Sequence, residues 1–219
     1  MFYLSQTVTD YEEIGYTNLI APTVAKGIRG YIQWAMRDAG IDKRRTQLNM
    51  LVRVYPPDFR DDDASEGSDF APSPVSNPED QGQALDGAVE ADEADEAQRA
   101  RRFTRAISRD LEKRLRDMGQ RWRDLLRDDK GKGFIAQPPT LYAFAVVQHV
   151  VLLASHDSGS STNPVAVLWQ VRLNDRGKWL WNALSLALVI NLARDALNQM
   201  WDTGIIVAEQ RNSGDDPDL

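Results

Sequence analysis

The sequence predicts an α+β fold: a small antiparallel sheet of about three strands, packed with helices near both ends of the chain and with a long amphipathic helix between them. Three observations lead there. Apolar residues recur at helical spacing from Tyr16 to Ala39 and fill the segment from Lys178 to Trp201. They alternate in the manner of strands over Leu48–Val54 and Val165–Leu173. Between these blocks lies a long acidic stretch almost without large apolar groups. An all-α fold is the alternative, and it turns on Leu141 to Ser155, whose apolar run does not by itself separate a strand from a buried helix.

In the first helix, Leu19, Ile20, Val24, Ile28, Ile32, Trp34 and Met36 make the apolar face. Pro22 suits a first helical turn, Gly40 a stop, and Gly27 and Gly30 positions of close packing. A strand follows, with Leu48, Met50, Val52 and Val54 on one side, closed by Pro56-Pro57.

From Asp58 to Glu96 the chain holds fourteen Asp or Glu against one Arg60, with Pro72, Pro74 and Pro78 among Ser and Gly. Such a segment does not bury enough apolar surface to offset its chain entropy, and it is expected to be disordered. The domain is therefore read as discontinuous, with 1–57 and 98–211 forming one unit around an acidic insert at 58–97, and a frayed tail at 212–219.

The charge then inverts. Arg99 to Arg127 carries eleven Lys or Arg against four acids. Phe103, Ile107, Leu111, Leu115, Met118, Trp122 and Leu125 step by three and four, the pattern of an amphipathic helix of about eight turns. The acid-first pairs Asp110–Arg114, Glu112–Arg116 and Asp117–Arg121 support it, and Gly119 is its weak point. Arg102, Arg105, Arg109, Arg116 and Arg123 fall roughly opposite the apolar seam and define a candidate stripe for a protein partner or a polyanion. The neighbouring acidic insert could lie along that stripe and mask it.

Beyond Pro138-Pro139, Leu141–Ser155 is read as a strand, because a Gly/Ser loop at Asp157–Asn163 and a cleanly alternating strand follow it, as in an antiparallel hairpin. Asp175 can cap the last helix, which is apolar almost all round and so is expected to be buried on most sides. That helix and Thr140–Ser155 are interrupted by polar groups (Asn182, Asn191; Gln148, His149), and neither is expected to span a membrane.

Signs of catalysis are few. The chain has no cysteine, which excludes a disulfide framework, a thiol nucleophile and a Cys-based zinc site. Its two histidines, His149 and His156, are seven apart and fall on opposite faces of a strand. His156-Asp157-Ser158 contains the residue types of a hydrolase triad, but adjacent residues rarely converge as a triad requires, and a hairpin loop is the simpler reading. Lys130-Gly131-Lys132-Gly133 lacks the spacing of a phosphate-binding loop. No cofactor or metal is expected, although carboxylates such as Glu12 or Asp195 leave room for an enzyme of unrecognised type.

The expectation is a non-enzymatic interaction module or subunit of a larger assembly, with another protein as partner. Binding of nucleic acid or an anionic surface is the second class, which the net charge of −7 disfavours. No basic leader precedes an apolar run at the N-terminus, so no signal peptide is expected. Basic clusters at Lys43-Arg44-Arg45 and Arg99–Arg102 suit an intracellular setting, in cytoplasm or nucleus.

Overall fold

The computed structural model describes residues 2–41, 47–59, 84–127 and 134–203, with side chains described at all of these except 2–3, 84–94 and 176. In chain order the elements are α1 (Phe2–Ile14), α2 (Thr17–Asp38), β1 (Met50–Val54), α3 (Ala84–Leu125), β2 (Thr140–Val147), β3 (Val150–Asp157), β4 (Ala166–Arg172) and α4 (Trp179–Asp202). The α+β class holds. Much of the segment expected to be disordered, 60–83, lies outside the described residues, as do the cluster Lys43-Arg44-Arg45, the loop 128–133 and the tail. Residues 84–97 of the acidic segment are helical and form the start of α3.

The chain divides into two compact units, one of Met1–Pro57 with Glu112–Leu219 and one of Asp58–Leu111. In the second, the N-terminal part of α3 is the described structure. The first unit contains the sheet, whose strand order is β1-β2-β3-β4. Leu141–Ser155 is extended, as expected, but it is two strands: β2 and β3 pair antiparallel around a tight turn at Gln148-His149, the only adjacent polar pair in the run. Gln148 takes a φ of +50°, which turns the chain. The β3–β4 hairpin follows the expectation, with a register shift at Leu153/Ala154.

The sheet differs from expectation in two respects: it has four strands, and β1 runs parallel to β2, Met50 opposite Tyr142 through Val54 opposite Val146. The physical reason lies in the connection. A parallel neighbour needs a crossover of a dozen or more residues, and the chain between β1 and β2 supplies one many times longer, with α3 in it.

Consecutive residues Ala143, Phe144, Ala145 and Val146 of β2 are all fully buried, so the central strand is covered on both faces. Helices α1, α2 and α4 pack on one another; α2 lies against β1 and β2, and α4 against β2. Val24, Ala25 and Ile28 of α2 and Leu186, Ile190 and Leu197 of α4 form much of their buried surface.

Helix α2 begins at Thr17 rather than at Pro22, which stands inside it. Its end is as expected: Gly40, at φ +70°, donates to the Arg37 carbonyl (3.0 Å) and Ile41 to that of Met36 (2.9 Å), a Schellman motif closed by the buried Met36 and Ile41 side chains. Of the two suspected packing glycines, only Gly27 is one. A Cβ there would stand 2.6 Å from Leu4 Cδ2, whereas one at Gly30 would meet open space.

Candidate interaction surface

The arginine stripe is only partly exposed. Arg102, Arg105 and Arg109, in the unit Asp58–Leu111, are exposed. In the larger unit, Arg116 is exposed and paired to Glu112 at 2.6 Å, as its acid-first spacing suggests. Arg123 is buried. The reason is helical geometry. Buried positions Leu115, Gly119 and Arg123 step by four, and each such step turns the face about 40° further round the helix. The buried face thus rotates onto Arg123 and Leu126, and leaves Leu125, a member of the expected seam, exposed.

Arg123 spans from α3 to the end of β3. Its Nη1 donates to the Ser158 carbonyl at 2.9 Å, and its Nη2 to Gln120 Oε1 at 2.8 Å. The Ser158 hydroxyl donates to the Pro139 carbonyl. Gly119 makes this approach possible: a Cβ there would stand 3.3 Å from Arg123 Nη1, 3.4 Å from Ser158 Cβ and 3.5 Å from His156 Cδ2. The helix's weak point is thus a point of close approach to the end of β3.

His156 lies in this contact, 1% exposed, and neither ring nitrogen has a hydrogen-bond partner among the described residues. Burial holds the imidazole below its ordinary pKa, and the charges of Arg123 and Arg116 act in the same direction, partly offset by Asp157 and Glu112. Asp157 turns elsewhere, accepting from the Gly159 amide (2.9 Å) and Asn163 Nδ2 (3.0 Å) to fold the hairpin loop. His156, Asp157 and Ser158 therefore serve three separate local structures. His149 is far from them, in the β2–β3 turn, with Nδ1 2.9 Å from Glu12 of α1; Asn174 donates to the same carboxylate at 3.3 Å. Among the described residues no three His, Asp or Glu side chains are grouped as a metal ion would require.

The largest departure from the sequence reading is α4. Its inner face is buried, but Trp181, Leu184, Leu188 and Leu192 are 69%, 49%, 63% and 52% exposed. Spaced by three, four and four, they form one continuous outward stripe. Beside it, Asn191 donates to the Tyr31 hydroxyl (3.4 Å), and Tyr31 stacks on the exposed Trp34 of α2 at 5.3 Å. Beyond Leu192 the outward positions become polar: Asp195, Gln199 and Asp202. By length and composition alone α4 could cross a membrane, the one such helix among the described residues. Edge strand β4 adds exposed Val167, Leu168 and Trp169, with the register shift bending the edge beside them. Periodicity could not have found the stripe, because it lies on a helix that is apolar on both sides.

Comparison with protein families, with curated proteins and with solved structures gives no match.

Proposed function

We propose that this chain is a non-enzymatic protein–protein interaction module, a subunit of a larger assembly, which docks through the outward stripe of α4. The stripe itself carries the reading. A tryptophan and three leucines, each about half exposed or more, line one side of a helix whose other side is core. Contiguous apolar surface of that extent on a folded chain marks a binding site. The absence of cysteine and the short basic clusters support an intracellular setting.

Exposed Arg102, Arg105 and Arg109, in the unit Asp58–Leu111, support a second contact, with an acidic partner. Nucleic acid is the competing occupant of those arginines. A binding constant that falls steeply with salt would favour it, and no binding at low salt would eliminate it.

The docking reading is tested by placing a photo-crosslinking residue at Leu188 or, as a control, at exposed Gln33 of α2, in the full chain in its native cell. Discrete adducts from position 188 and few from position 33 are expected. Equal yields from the two would overturn the reading.

A further inference from the structure

We infer that the occupant of the α4 stripe is a second copy of this chain, docked antiparallel about a two-fold axis; the inference rests on reading α4 as a docking face. Its ground is the symmetry of charge about the stripe. The apolar run begins at Trp181 and ends at Leu192. Lys178, at the N-cap position of α4, stands three positions before it, and Asp195 three positions after it. Both side chains are largely exposed; among the described residues Lys178 pairs with Asp175, three positions before it, and Asp195 with the adjacent Arg194.

Two such helices laid antiparallel set Trp181 of each over Leu192 of the other, with Leu184 and Leu188 between. The same register brings Lys178 level along the helix axis with Asp195 of the other copy at both ends, one on each flank of the seam and within reach of a flexible lysine. An isologous interface requires this kind of self-complementary pattern, in which one patch supplies both partners of every pair. A parallel arrangement would place like charges together.

Area is consistent with this. The exposed parts of the stripe, with Leu180 and the adjoining Trp34, amount to on the order of 600 Å² of apolar surface, at the upper end of the largest patch on a typical monomer. A standard interface needs about 800 Å² per partner, and the flanking Ala183, Ala187 and polar rim bring the face near it. A lipid surface fits less well. Helices that lie on membranes carry basic residues along their polar flanks, whereas this stripe runs into Asp195 and Asp202 on a chain of net charge −7.

The test is sedimentation equilibrium of the full chain from low to high micromolar concentration. The expected species has twice the 24.7 kDa mass of one chain. Leu188→Glu should weaken association at least about tenfold, because it buries an unpaired charge in the interface, while the thermal melt of the diluted monomer stays in place. Lys178→Glu and Asp195→Lys should each weaken the dimer, and the double variant should recover it. A dimer that ignores Leu188→Glu would overturn the location, and failure of the double swap to recover would overturn the antiparallel register. A monomer throughout would overturn the second copy as occupant. In that case adducts at position 188 with other proteins would leave the docking reading standing, and co-sedimentation with phosphatidylcholine/phosphatidylserine vesicles would assign the stripe to a membrane.

Discussion

Replacing Arg123 by Met should cost about 2–3 kcal/mol at pH 8 and should also flatten the protein's loss of stability in acid. The perturbation keeps the aliphatic stem in its buried place and removes the guanidinium. Two hydrogen bonds go with it. The bond to Gln120 is made by a side chain that water can reach and contributes little. The bond to the Ser158 carbonyl is buried and charge-assisted, and its loss leaves that carbonyl without a donor among the described residues, which sets the scale at about 2–3 kcal/mol. The pH effect comes from His156. Burial first, then Arg123, holds its pKa in the folded state below the unfolded value of about 6.5. Below pH 6.5 the unfolded chain therefore binds the proton more readily than the native one, and stability falls as pH falls through that window. Without the Arg123 charge the folded pKa moves part of the way back, and the slope becomes shallower; Arg116, Glu112 and Asp157 remain and act as before. Urea unfolding at pH 8, 7, 6 and 5, followed by tryptophan fluorescence, measures both effects, and His156→Leu provides the limit in which this slope is absent. A variant as stable as the parent at pH 8, or one whose deficit is the same at every pH, would refute the reasoning.

Three further outcomes follow from the backbone and the core. Gly30→Ala should stabilise α2 by about 0.5–1 kcal/mol, because the methyl meets nothing, while Gly27→Ala should fall below it by about 1–3 kcal/mol because Leu4 must be displaced; identical melting temperatures would show that α1 does not press on Gly27. Gln148→Gly should stabilise the β2–β3 hairpin by up to about 1 kcal/mol by relieving a positive φ, read as a rise in the chemical denaturation midpoint; a fall would place the turn in another conformation. Asn49→Ala should cost about 1–3 kcal/mol, since its Nδ2 donates to the buried Ala193 carbonyl at 3.1 Å; an unchanged midpoint would mean that this carbonyl does not depend on it.

Much of the fold was legible. Gly40 announced the end of α2, and the alternation in β1 and β4 and the Gly/Ser loop between β3 and β4 announced the sheet. Within Leu141–Ser155 the polar pair Gln148-His149 marks the turn that divides one expected strand into two. The parallel pairing of β1 was not legible, because strand direction depends on where a long connection returns, and local pattern is silent about that. Periodicity does not reveal helix α1, because Ser5, Thr7 and Thr9 interrupt its apolar residues; Ser5 donates to the Leu173 carbonyl and Thr9 to that of Ser5. For Arg123 residue type points to solvent, whereas the i+4 drift of the buried face puts it inside.

The stripe on α4 raises the question of what decides which side of such a helix faces out. Hydrophobicity alone does not, since Leu184, Leu188 and Leu192 are as apolar as Leu186, Ile190 and Leu197 on the other side. Polar anchors do. Asn182, on the inner face, donates to the Arg172 carbonyl at the end of β4 (2.7 Å), and Asn49 reaches the Ala193 carbonyl, where a small side chain leaves the backbone open. A half-turn of α4 about its axis would break both bonds and leave buried groups unpaired, at about 1–3 kcal/mol each. Asn191, bonded to Tyr31 on the flank, opposes the same rotation. Replacing Asn182 and Asn191 together by Leu should therefore loosen the choice of face without removing apolar surface. The expected result is a near-unchanged helix content with weaker acrylamide quenching of the exposed tryptophan fluorescence, as Trp181 samples inward orientations, and with loss of the adducts formed from position 188. Quenching and adducts identical to the parent's would mean that side-chain shape, rather than these asparagines, orients the helix, and that the stripe faces outward for reasons of packing alone.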